Sequence, residues 1–248
     1  MQRYNESKKR QVLAMLLFYV RHGDPIYEPD GLTERGMWQA KALAERMKRC
    51  RPDRIFASSS NRAIQTALPT AETLGREIEV LDWCHEGHAY HDFTLIYEDG
   101  HRNWPFWDPG AREVFCSEEI RRYGKEWYQH PYFVNTRLPK GWERMSRGTD
   151  ELLLSLGYRH EGNGYVAERP NDDRIAWFAH QATGGAVMSH LLDIPYPELG
   201  LRFDMGHSGM TVIEFKGDGF VVPRVLQWSN DAHLFRAGET VYQNQIEF

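Results

Sequence analysis

The sequence predicts an α/β fold built on a mostly parallel sheet. Three short apolar runs, at residues 16–20, 54–58 and 174–179, are rich in branched or aromatic side chains. Such runs are typical of strands that are buried on both faces. Each is followed by polar residues and then, directly or after a loop, by a helical pattern. Strands that alternate with helices favour a parallel sheet covered by helices.

The bulk composition excludes several classes of partner. The chain has 248 residues, with 30 Lys and Arg against 35 Asp and Glu, so the formal net charge is −5. Because these charges are spread without blocks, we expect neither nucleic acid nor a membrane surface as a partner. The length suits one sizeable α/β domain, and we expect residues 1–248 to form a single domain.

The cysteines and the N-terminus bear on the cellular location. Cys50, Cys84 and Cys116 fit neither a zinc-binding spacing nor a disulfide framework, which predicts reduced thiols and a cytoplasmic protein. Basic residues 8–10 before the apolar run are similar to the start of a secretory signal. No small-residue cleavage site follows, however, so we interpret the run as the first strand of the sheet.

The first two helices have recognisable boundaries. Thr33 can cap a helix that Pro52 stops, and Ser60 or Asn61 can cap the next one. The second boundary places Arg62 in the first turn, where the helix dipole disfavours a cation. An anion held between Arg62 and the exposed backbone N–H groups would explain this placement. We therefore predict an anion at this helix N-terminus.

An aromatic segment interrupts the alternation of strands and helices. The chain is 13% aromatic, and many of these residues crowd into residues 86–170. Helical patterns occur there only at 117–128 and 142–156. We expect an insertion, partly helical, that packs over the carboxyl edge of the sheet as a lid.

The last third of the chain contains the third strand and a predicted hairpin. The strand ends in His180 and Gln181, and two glycines then precede a helix predicted over residues 186–192. Residues 210–215 alternate as a strand, and after a glycine-rich turn residues 220–226 are predicted to pair back with it.

Functional groups follow the carboxyl ends of the three predicted strands, where ligands bind in open α/β sheets. Arg21 and His22 follow the first, Arg62 follows the second and His180 follows the third. Two arginines beside two histidines suit a tetrahedral dianion, because the planar guanidinium binds phosphate oxygens in pairs. A neutral imidazole can attack phosphorus directly. These residues indicate phosphoryl transfer through histidine.

The sequence predicts no metal ion and no cofactor for this chemistry. It has no carboxylate cluster for Mg²⁺ and no Gly-x-x-x-x-Gly-Lys loop for a nucleotide. His85, His88 and His91 could suggest a metal site, but nothing in the sequence fixes their geometry. We interpret them as polar residues of the aromatic lid.

The same segments resemble the histidine phosphatase superfamily, branch 1. The matching motifs are Tyr-Val-Arg-His-Gly at 19–23, Leu-Thr-Glu-Arg-Gly at 32–36, Arg-Ala-x-Gln-Thr-Ala at 62–67 and Ala-His-Gln at 179–181. They occur in the family's order. The resemblance implies a phosphoglycerate-mutase-like fold of three layers, α/β/α. It also implies a metal-independent histidine acid-type phosphatase that acts on a small phosphorylated metabolite.

The resemblance implies a role for each matching residue. His22 would be the nucleophile that becomes phosphohistidine. Arg21, Arg62 and His180 would bind the phosphoryl group and stabilise the charge that shifts in the transition state. Family members also use a carboxylate to protonate the leaving oxygen, and Glu86 fits its usual place after the second helix.

Two residues depart from the family pattern at positions that bear on the substrate. Glu28 stands near the position of a phosphate-contacting Asn of the mutase branch, and Gln181 stands where small residues are common, so both are candidate substrate-binding residues. Asp24, beside His22, is the alternative proton donor to Glu86. The missing Asn favours a phosphomonoester hydrolase. The alternatives are a phosphoglycerate-type mutase and a phosphate-binding homologue without turnover.

Overall fold

A computed structural model describes residues 12–238 of the chain; the basic residues 8–10 and residues 239–248 lie outside the described part. The strands are β1 (Ala14–Arg21), β2 (Pro25–Ile26), β3 (Gly31–Leu32), β4 (Arg54–Ser58), β5 (Ile78–Leu81), β6 (Leu95–Ile96), β7 (Arg102–Asn103), β8 (Tyr158–Glu161), β9 (Gly164–Ala167), β10 (Arg174–Ala179), β11 (Met210–Lys216), β12 (Phe220–Val221) and β13 (Arg224–Asn230). The α-helices are α1 (Glu34–Cys50), α2 (Asn61–Leu74), α3 (Glu86–Phe93), α4 (Pro109–Cys116), α5 (Glu118–Tyr123), α6 (Leu138–Ser155), α7 (Gln181–Leu192), α8 (Tyr196–Gly200) and α9 (Ala232–Arg236). Short 3-10 helices occupy Asp82–Cys84 and Gly124–Gln129.

Six strands form the central sheet, in the order β13-β11-β1-β10-β4-β5. Strands β1, β10, β4 and β5 pair in parallel, whereas β11 runs antiparallel to both β1 and β13. The predicted α/β fold with a mostly parallel sheet is confirmed. Its first three predicted strands correspond to β1, β4 and β10, and β4 and β10 have the predicted bounds.

Alternate residues of the central strands pack into two separate cores, as the period of two in a strand requires. Phe18 and Val20 of β1 belong to the core formed with α1 and α2. Leu17 and Tyr19, on the opposite face, belong to the core that contains α6, α7 and the aromatic residues of the middle segment. Each fully buried side chain of this kind contributes about 1.5–3 kcal/mol. The sheet is therefore the middle layer of an α/β/α arrangement.

The parallel register brings the carboxyl ends of four strands to one level. Arg21 of β1 pairs with Ala179 of β10. The preceding residue of β10, Phe178, pairs with Ala57 of β4. Ala57 in turn pairs with Val80 of β5. Residues that directly follow these strands consequently emerge along one edge of the sheet.

Both predicted helix starts agree with the structure. Thr33 Oγ1 accepts a hydrogen bond from the Gly36 N–H at 3.0 Å, so the predicted cap of α1 is confirmed. Helix α2 begins at Asn61 with Ser60 in the capping position, although the Ser60 side chain makes no capping hydrogen bond. Arg62 lies in the first turn, as predicted.

Helix α7 starts earlier than the sequence predicted. It begins at Gln181, directly after His180, and not at residue 186. The glycine pair suggested a loop, but Gly184 lies inside the helix against Tyr19, where an added Cβ would lie 2.7 Å from the ring. Gly184 thus allows α7 to pack closely against Tyr19 of β1, and it does not mark a turn of the chain.

The predicted C-terminal hairpin is partly wrong. Strand β11 pairs with β13 (Arg224–Asn230), and the intervening β12 pairs with β9 in a separate sheet of three strands. Pro223 lies between β12 and β13, and because proline has no N–H it interrupts strand pairing. The predicted helix at 117–128 is likewise divided into α5 and a 3-10 helix at Gly124, whose φ is +53°.

The middle segment contributes to the larger core. Ring contacts connect Phe93, Phe115, Trp127 and Trp142, directly or through one another, to Tyr196 of α8, with centroid distances of 5.2–6.1 Å. Cys50, Cys84 and Cys116 all lie in the described part and are free thiols. Within residues 12–238 no helix has the length and apolar character needed to cross a membrane.

Two glycines on one face of α6 allow the helix to approach the preceding elements closely. A Cβ added at Gly141 would lie 2.7 Å from the Asp92 Cβ, and one added at Gly148 would overlap the ring of Trp83. The two positions are seven residues apart and therefore lie on the same side of the helix. Trp83 in turn packs edge-on against Trp177 of β10, with ring centroids 5.4 Å apart.

We predict that Gly148→Ala destabilises the protein even though alanine is the better helix former. The gain in helix propensity is about 1 kcal/mol, whereas overpacking costs about 1–3 kcal/mol. Because the added Cβ would overlap three atoms of the Trp83 ring, we expect the upper end of this cost and a net loss of about 2 kcal/mol. Urea unfolding followed by circular dichroism measures it. Gly185→Ala is the control, because this α7 glycine has its nearest neighbour at 3.6 Å and should not be destabilised. Equal stability of the wild type and Gly148→Ala would contradict the proposed close packing.

Candidate active site

A cavity of about 580 Å³ lies beyond the carboxyl edge of the sheet. Its polar lining consists of Arg21, His22, Asp30, Arg62, His85, Glu86 and Gln181. Its aromatic lining consists of Tyr27, Tyr90, Trp104, Phe106, Trp107, Tyr196 and Phe203. The cavity thus combines a charged floor of strand-end residues with a wall that is largely aromatic.

His22 follows the last residue of β1 and is 3% exposed. Its backbone N–H donates to the Ala179 carbonyl at 2.9 Å, which continues the pairing of β1 with β10 beyond the strand. Its Nδ1 lies 2.7 Å from the Gly23 carbonyl oxygen. Because a carbonyl can only accept, Nδ1 carries the proton and the lone pair of the neutral ring is on Nε2. Burial, followed by the charges of His180 and Arg21, holds the pKa of His22 well below its usual value.

The loop after β1 is held by other residues of the same sequence motifs. The Gly23 N–H donates to Thr66 Oγ1 at 2.9 Å, and the Asp24 N–H donates to Gln39 Oε1 at 2.8 Å. A Cβ at Gly23 would lie 2.7 Å from the carbonyl oxygen of Gly36, so the loop and the start of α1 touch backbone to backbone. These motif residues fix the position of His22 and do not line the cavity themselves.

Two residues of the segment that precedes β11 hold the Arg21 side chain. One guanidinium nitrogen donates to the Met205 carbonyl, and Nη2 lies 2.9 Å from His207 Nε2. The sequence interpretation missed His207, whose ring centroid is 5.7 Å from that of His22. Burial and the Arg21 charge lower the pKa of His207 to about 3. A Gly-His-Ser-Gly stretch at 206–209, directly before a strand, is the signal that could have indicated it.

An anion does lie at the N-terminus of α2, but it belongs to the protein. Asp30 accepts from the Asn61 backbone N–H at 2.7 Å and pairs with Arg62 Nη1 at 2.5 Å. The Arg62 guanidinium also lies over the ring of Tyr27, 5.4 Å from its centroid. The group that Arg62 and the backbone share is thus a carboxylate of the protein, and a bound anion at this helix N-terminus stays a prediction. Asp30 orients the guanidinium, and the arginine, 7% exposed, remains part of the cavity wall.

His180 is fully buried beside His22, with ring centroids 5.2 Å apart. Its Nε2 lies 2.8 Å from Ser58 Oγ at the end of β4 and 3.2 Å from Ser60 Oγ. Its carbonyl accepts from the Tyr19 hydroxyl at 2.8 Å. Burial, followed by the charge of Arg62, lowers the pKa of His180 well below its usual value. Both histidines are therefore neutral at neutral pH.

Glu86 reaches the same cavity from the start of α3, shortly after β5. Its Oε2 accepts from the Thr183 hydroxyl at 2.8 Å and lies 3.4 Å from the Thr183 N–H in the first turn of α7. Burial raises the pKa of Glu86 above its usual range, against the opposing effect of the Thr183 hydrogen bond. A carboxyl group with a raised pKa is able to hold a proton at mildly acidic pH.

The remaining predicted residues differ in their placement. Gln181 lines the cavity, and its amide donates to Asp204. Asp24 accepts from Thr33 Oγ1 at 2.7 Å, lies 3.4 Å from His207 Nδ1 and is not among the lining residues. The structure does not bring Glu28 into this group, because its side chain is exposed and Asp30 lies at the cavity instead.

The arrangement is suited to a dianionic ligand. Two guanidinium groups lie beside two neutral imidazoles, and a carboxyl group that can be protonated lies on the cavity wall. Fixed cations lower the energy of a bound phosphate without having to reorganise. A neutral imidazole whose lone pair is not needed for hydrogen bonding is available as a nucleophile.

The fold is similar to that of several solved structures. A mycobacterial hydrolase 1 is 22% identical, with a TM-score of 0.58 over 88% of this chain and 99% of that chain. A mutant phosphoserine phosphatase from Entamoeba histolytica, in complex with phosphoserine, is 18% identical, with a TM-score of 0.56 over 89% of this chain and 99% of that chain. A mycobacterial glucosyl-3-phosphoglycerate phosphatase in complex with VO3 is 19% identical, with a TM-score of 0.56 over 87% of this chain and 99% of that chain. Among curated protein sequences there is no significant match.

The sequence itself matches a family model over residues 17–114, described as the histidine phosphatase superfamily (branch 1). This range extends from β1 into α4 and contains Arg21, His22, Arg62 and Glu86. The fold of the described chain is that of the solved phosphatases with which it aligns. Residues 17–114 are therefore similar to branch 1 of the histidine phosphatase superfamily, and the described chain has the fold of the solved structures named above.

Proposed function

We propose that the protein is a phosphomonoester hydrolase that works through a phosphohistidine at His22. The observation that carries the proposal is the state of the His22 ring, with Nδ1 bonded to the Gly23 carbonyl and the lone pair on Nε2. This nucleophile lines the cavity together with Arg21 and Arg62. The phosphatase names of two structural neighbours support the same chemistry.

The first half of the reaction transfers the phosphoryl group to the protein. Nε2 of His22 donates its electron pair to phosphorus, and the bond between phosphorus and the ester oxygen breaks. Glu86 gives its proton to that oxygen, so that an alcohol leaves and no alkoxide forms. Arg21 and Arg62 bind the equatorial oxygens, and the hydroxyls of Ser58 and Ser60 hold His180 beside them.

The second half returns the phosphoryl group to water. Glu86, now ionised, accepts a proton from a water molecule whose oxygen attacks phosphorus. The phosphorus–nitrogen bond breaks, and its electron pair returns to Nε2 of His22. Inorganic phosphate is released, and both residues regain their initial protonation states. We propose that no metal ion takes part in these steps.

The aromatic wall of the cavity favours a substrate whose organic part packs against aromatic rings. Tyr90, Trp104, Phe106 and Trp107 belong to the segment 86–170, and all four line the cavity. We propose that this segment is a lid within a single domain, and that the substrate is a small phosphorylated metabolite. Two of the neighbouring structures hold compounds of this size, phosphoserine and 3-phosphoglyceric acid.

We predict that His22→Ala lowers kcat/KM for p-nitrophenyl phosphate by about 10³-fold or more, because the nucleophile is removed. Rapid quenching in alkaline detergent, which preserves the acid-labile phosphohistidine, should trap a phosphoenzyme in the wild type and none in the variant, with EDTA present throughout. The control is His101→Ala, an exposed histidine outside the cavity lining. Full activity in His22→Ala would rule out the mechanism.

We predict that Glu86→Gln slows substrates according to their leaving group. Alkyl phosphates need a proton on the leaving oxygen and should lose about 10²-fold or more, whereas p-nitrophenyl phosphate should lose much less. A general acid must be protonated, so kcat for alkyl phosphates should fall as pH rises through the raised pKa of Glu86, and this limb should vanish in the variant.

Asp24→Asn is the matched control for Glu86, because Asp24 is the other candidate acid. It should keep the leaving-group dependence and the pH limb of the wild type. If Asp24→Asn abolishes the limb and Glu86→Gln preserves it, the two roles must be exchanged.

We predict that Trp107→Ala raises KM for aryl phosphates by about 3- to 10-fold through loss of stacking, with little change for small polar phosphomonoesters. Trp107 is 67% exposed, so the fold should tolerate the change. Phe235→Ala, at an exposed aromatic residue outside the cavity lining, is the control. Equal effects on aryl and polar substrates would contradict a role of the aromatic wall in binding.

A further inference from the structure

A second cavity, separate from the proposed active site, contains a compact group of metal-ligating side chains. Asp150, His160 and His190 offer one ligand atom each, and these atoms lie within 4.8 Å of one another. Within residues 12–238 this is the single group of three or more such residues. All three line a cavity of about 960 Å³, which shares no lining residue with the proposed active site.

The three ligand atoms are close to the spacing that a zinc ion requires. The Asp150 Oδ1 atom lies 2.8 Å from His190 Nε2 and 3.1 Å from His160 Nδ1. Ligands of tetrahedral Zn²⁺ at about 2.0–2.1 Å from the metal are about 3.3 Å apart. Small rotations of the carboxylate and the rings would therefore admit the ion.

The rings are already oriented by packing. His160 stacks on Tyr165, with centroids 4.9 Å apart and an angle of 18° between the planes. His190 meets Trp142 edge-on at 6.1 Å, and the two histidine rings are perpendicular to each other at 4.7 Å. A site whose ligands are held before the metal arrives loses less entropy on binding.

The nearby positive charges do not exclude a cation. Arg159, adjacent to His160, is paired with Glu161 at 2.7 Å and with Glu168 at 2.6 Å. Lys125 lies 3.7 Å from Asp193, and Arg147 lies 3.9 Å from Glu151. Lys140 and Glu143 add one charge of each sign to the cavity wall.

We propose that Asp150, His160 and His190 form a binding site for a divalent transition metal, with Zn²⁺ as the expected ion. Two imidazoles and one carboxylate favour zinc over Mg²⁺ or Ca²⁺, which prefer all-oxygen sites. Three protein ligands leave a fourth position, which water would occupy. The ligands come from α6, β8 and α7, so the ion joins the middle segment to the helix that follows His180. The site is independent of the proposed hydrolase activity.

Metal binding is tested on the full-length protein after removal of metal ions with EDTA and subsequent removal of EDTA. Zn²⁺ is titrated in competition with a coloured zinc indicator, and Co²⁺ is added separately to record its visible absorption. We expect one bound equivalent that raises the melting temperature. Asp150→Asn and His190→Gln should each weaken Zn²⁺ binding at least about 10-fold. The asparagine oxygen can still accept the imidazole hydrogen bonds, so Asp150→Asn should remain folded.

Two controls separate this site from other histidines. His101→Gln removes one partner of an exposed His–Asp contact of 2.5 Å and should leave Zn²⁺ affinity unchanged. His22→Ala should also leave it unchanged, because that histidine lies in the other cavity. The proposal is overturned if Asp150→Asn and His190→Gln bind Zn²⁺ as tightly as the wild type. It is equally overturned if the bound equivalent disappears in His22→Ala.

Discussion

The alignment of four parallel strand ends is the constraint on which the site depends. Register pairs Arg21 with Ala179 and Ala57 with both Phe178 and Val80, so the next residues of all four strands emerge at one edge. Backbone hydrogen bonds set this alignment, and a shift by one residue would move every side chain to the other face of the sheet. The histidines that follow β1 and β10 are neighbours for this reason.

The two arginines and His180 of the site are held in place by groups of the protein itself. Asp30 orients Arg62, the Met205 carbonyl and His207 hold Arg21, and Ser58 holds His180. Arginine side chains are flexible when free, and fixing them before a ligand arrives lowers the entropy lost on binding. Burial, followed by the positive charges nearby, holds the pKa values of His22 and His180 well below their usual value.

The middle segment is tied to the sheet by dense packing. Gly141 and Gly148 let α6 lie against Asp92 and Trp83, and Trp83 in turn packs against Trp177 of the sheet. Such contacts are short-ranged and sensitive to the addition of one methyl group. The same helix carries Asp150, so the position of this candidate metal ligand depends on the same packing.

The sequence by itself determined three of the parallel strands, the first two helix starts and the residues that follow those strands. Apolar runs, capping residues and their order along the chain are local signals, and Arg21, His22, Arg62 and His180 could be predicted from them. The tertiary structure alone decided which groups pair with them. Asp30 is 32 residues from Arg62, and His207 is 186 residues from Arg21, and no local pattern encodes contacts at such distances. Arg-His-Gly at the end of β1 predicted His22 as a nucleophile, but the tautomer of this histidine became clear only from its hydrogen bond to the Gly23 carbonyl.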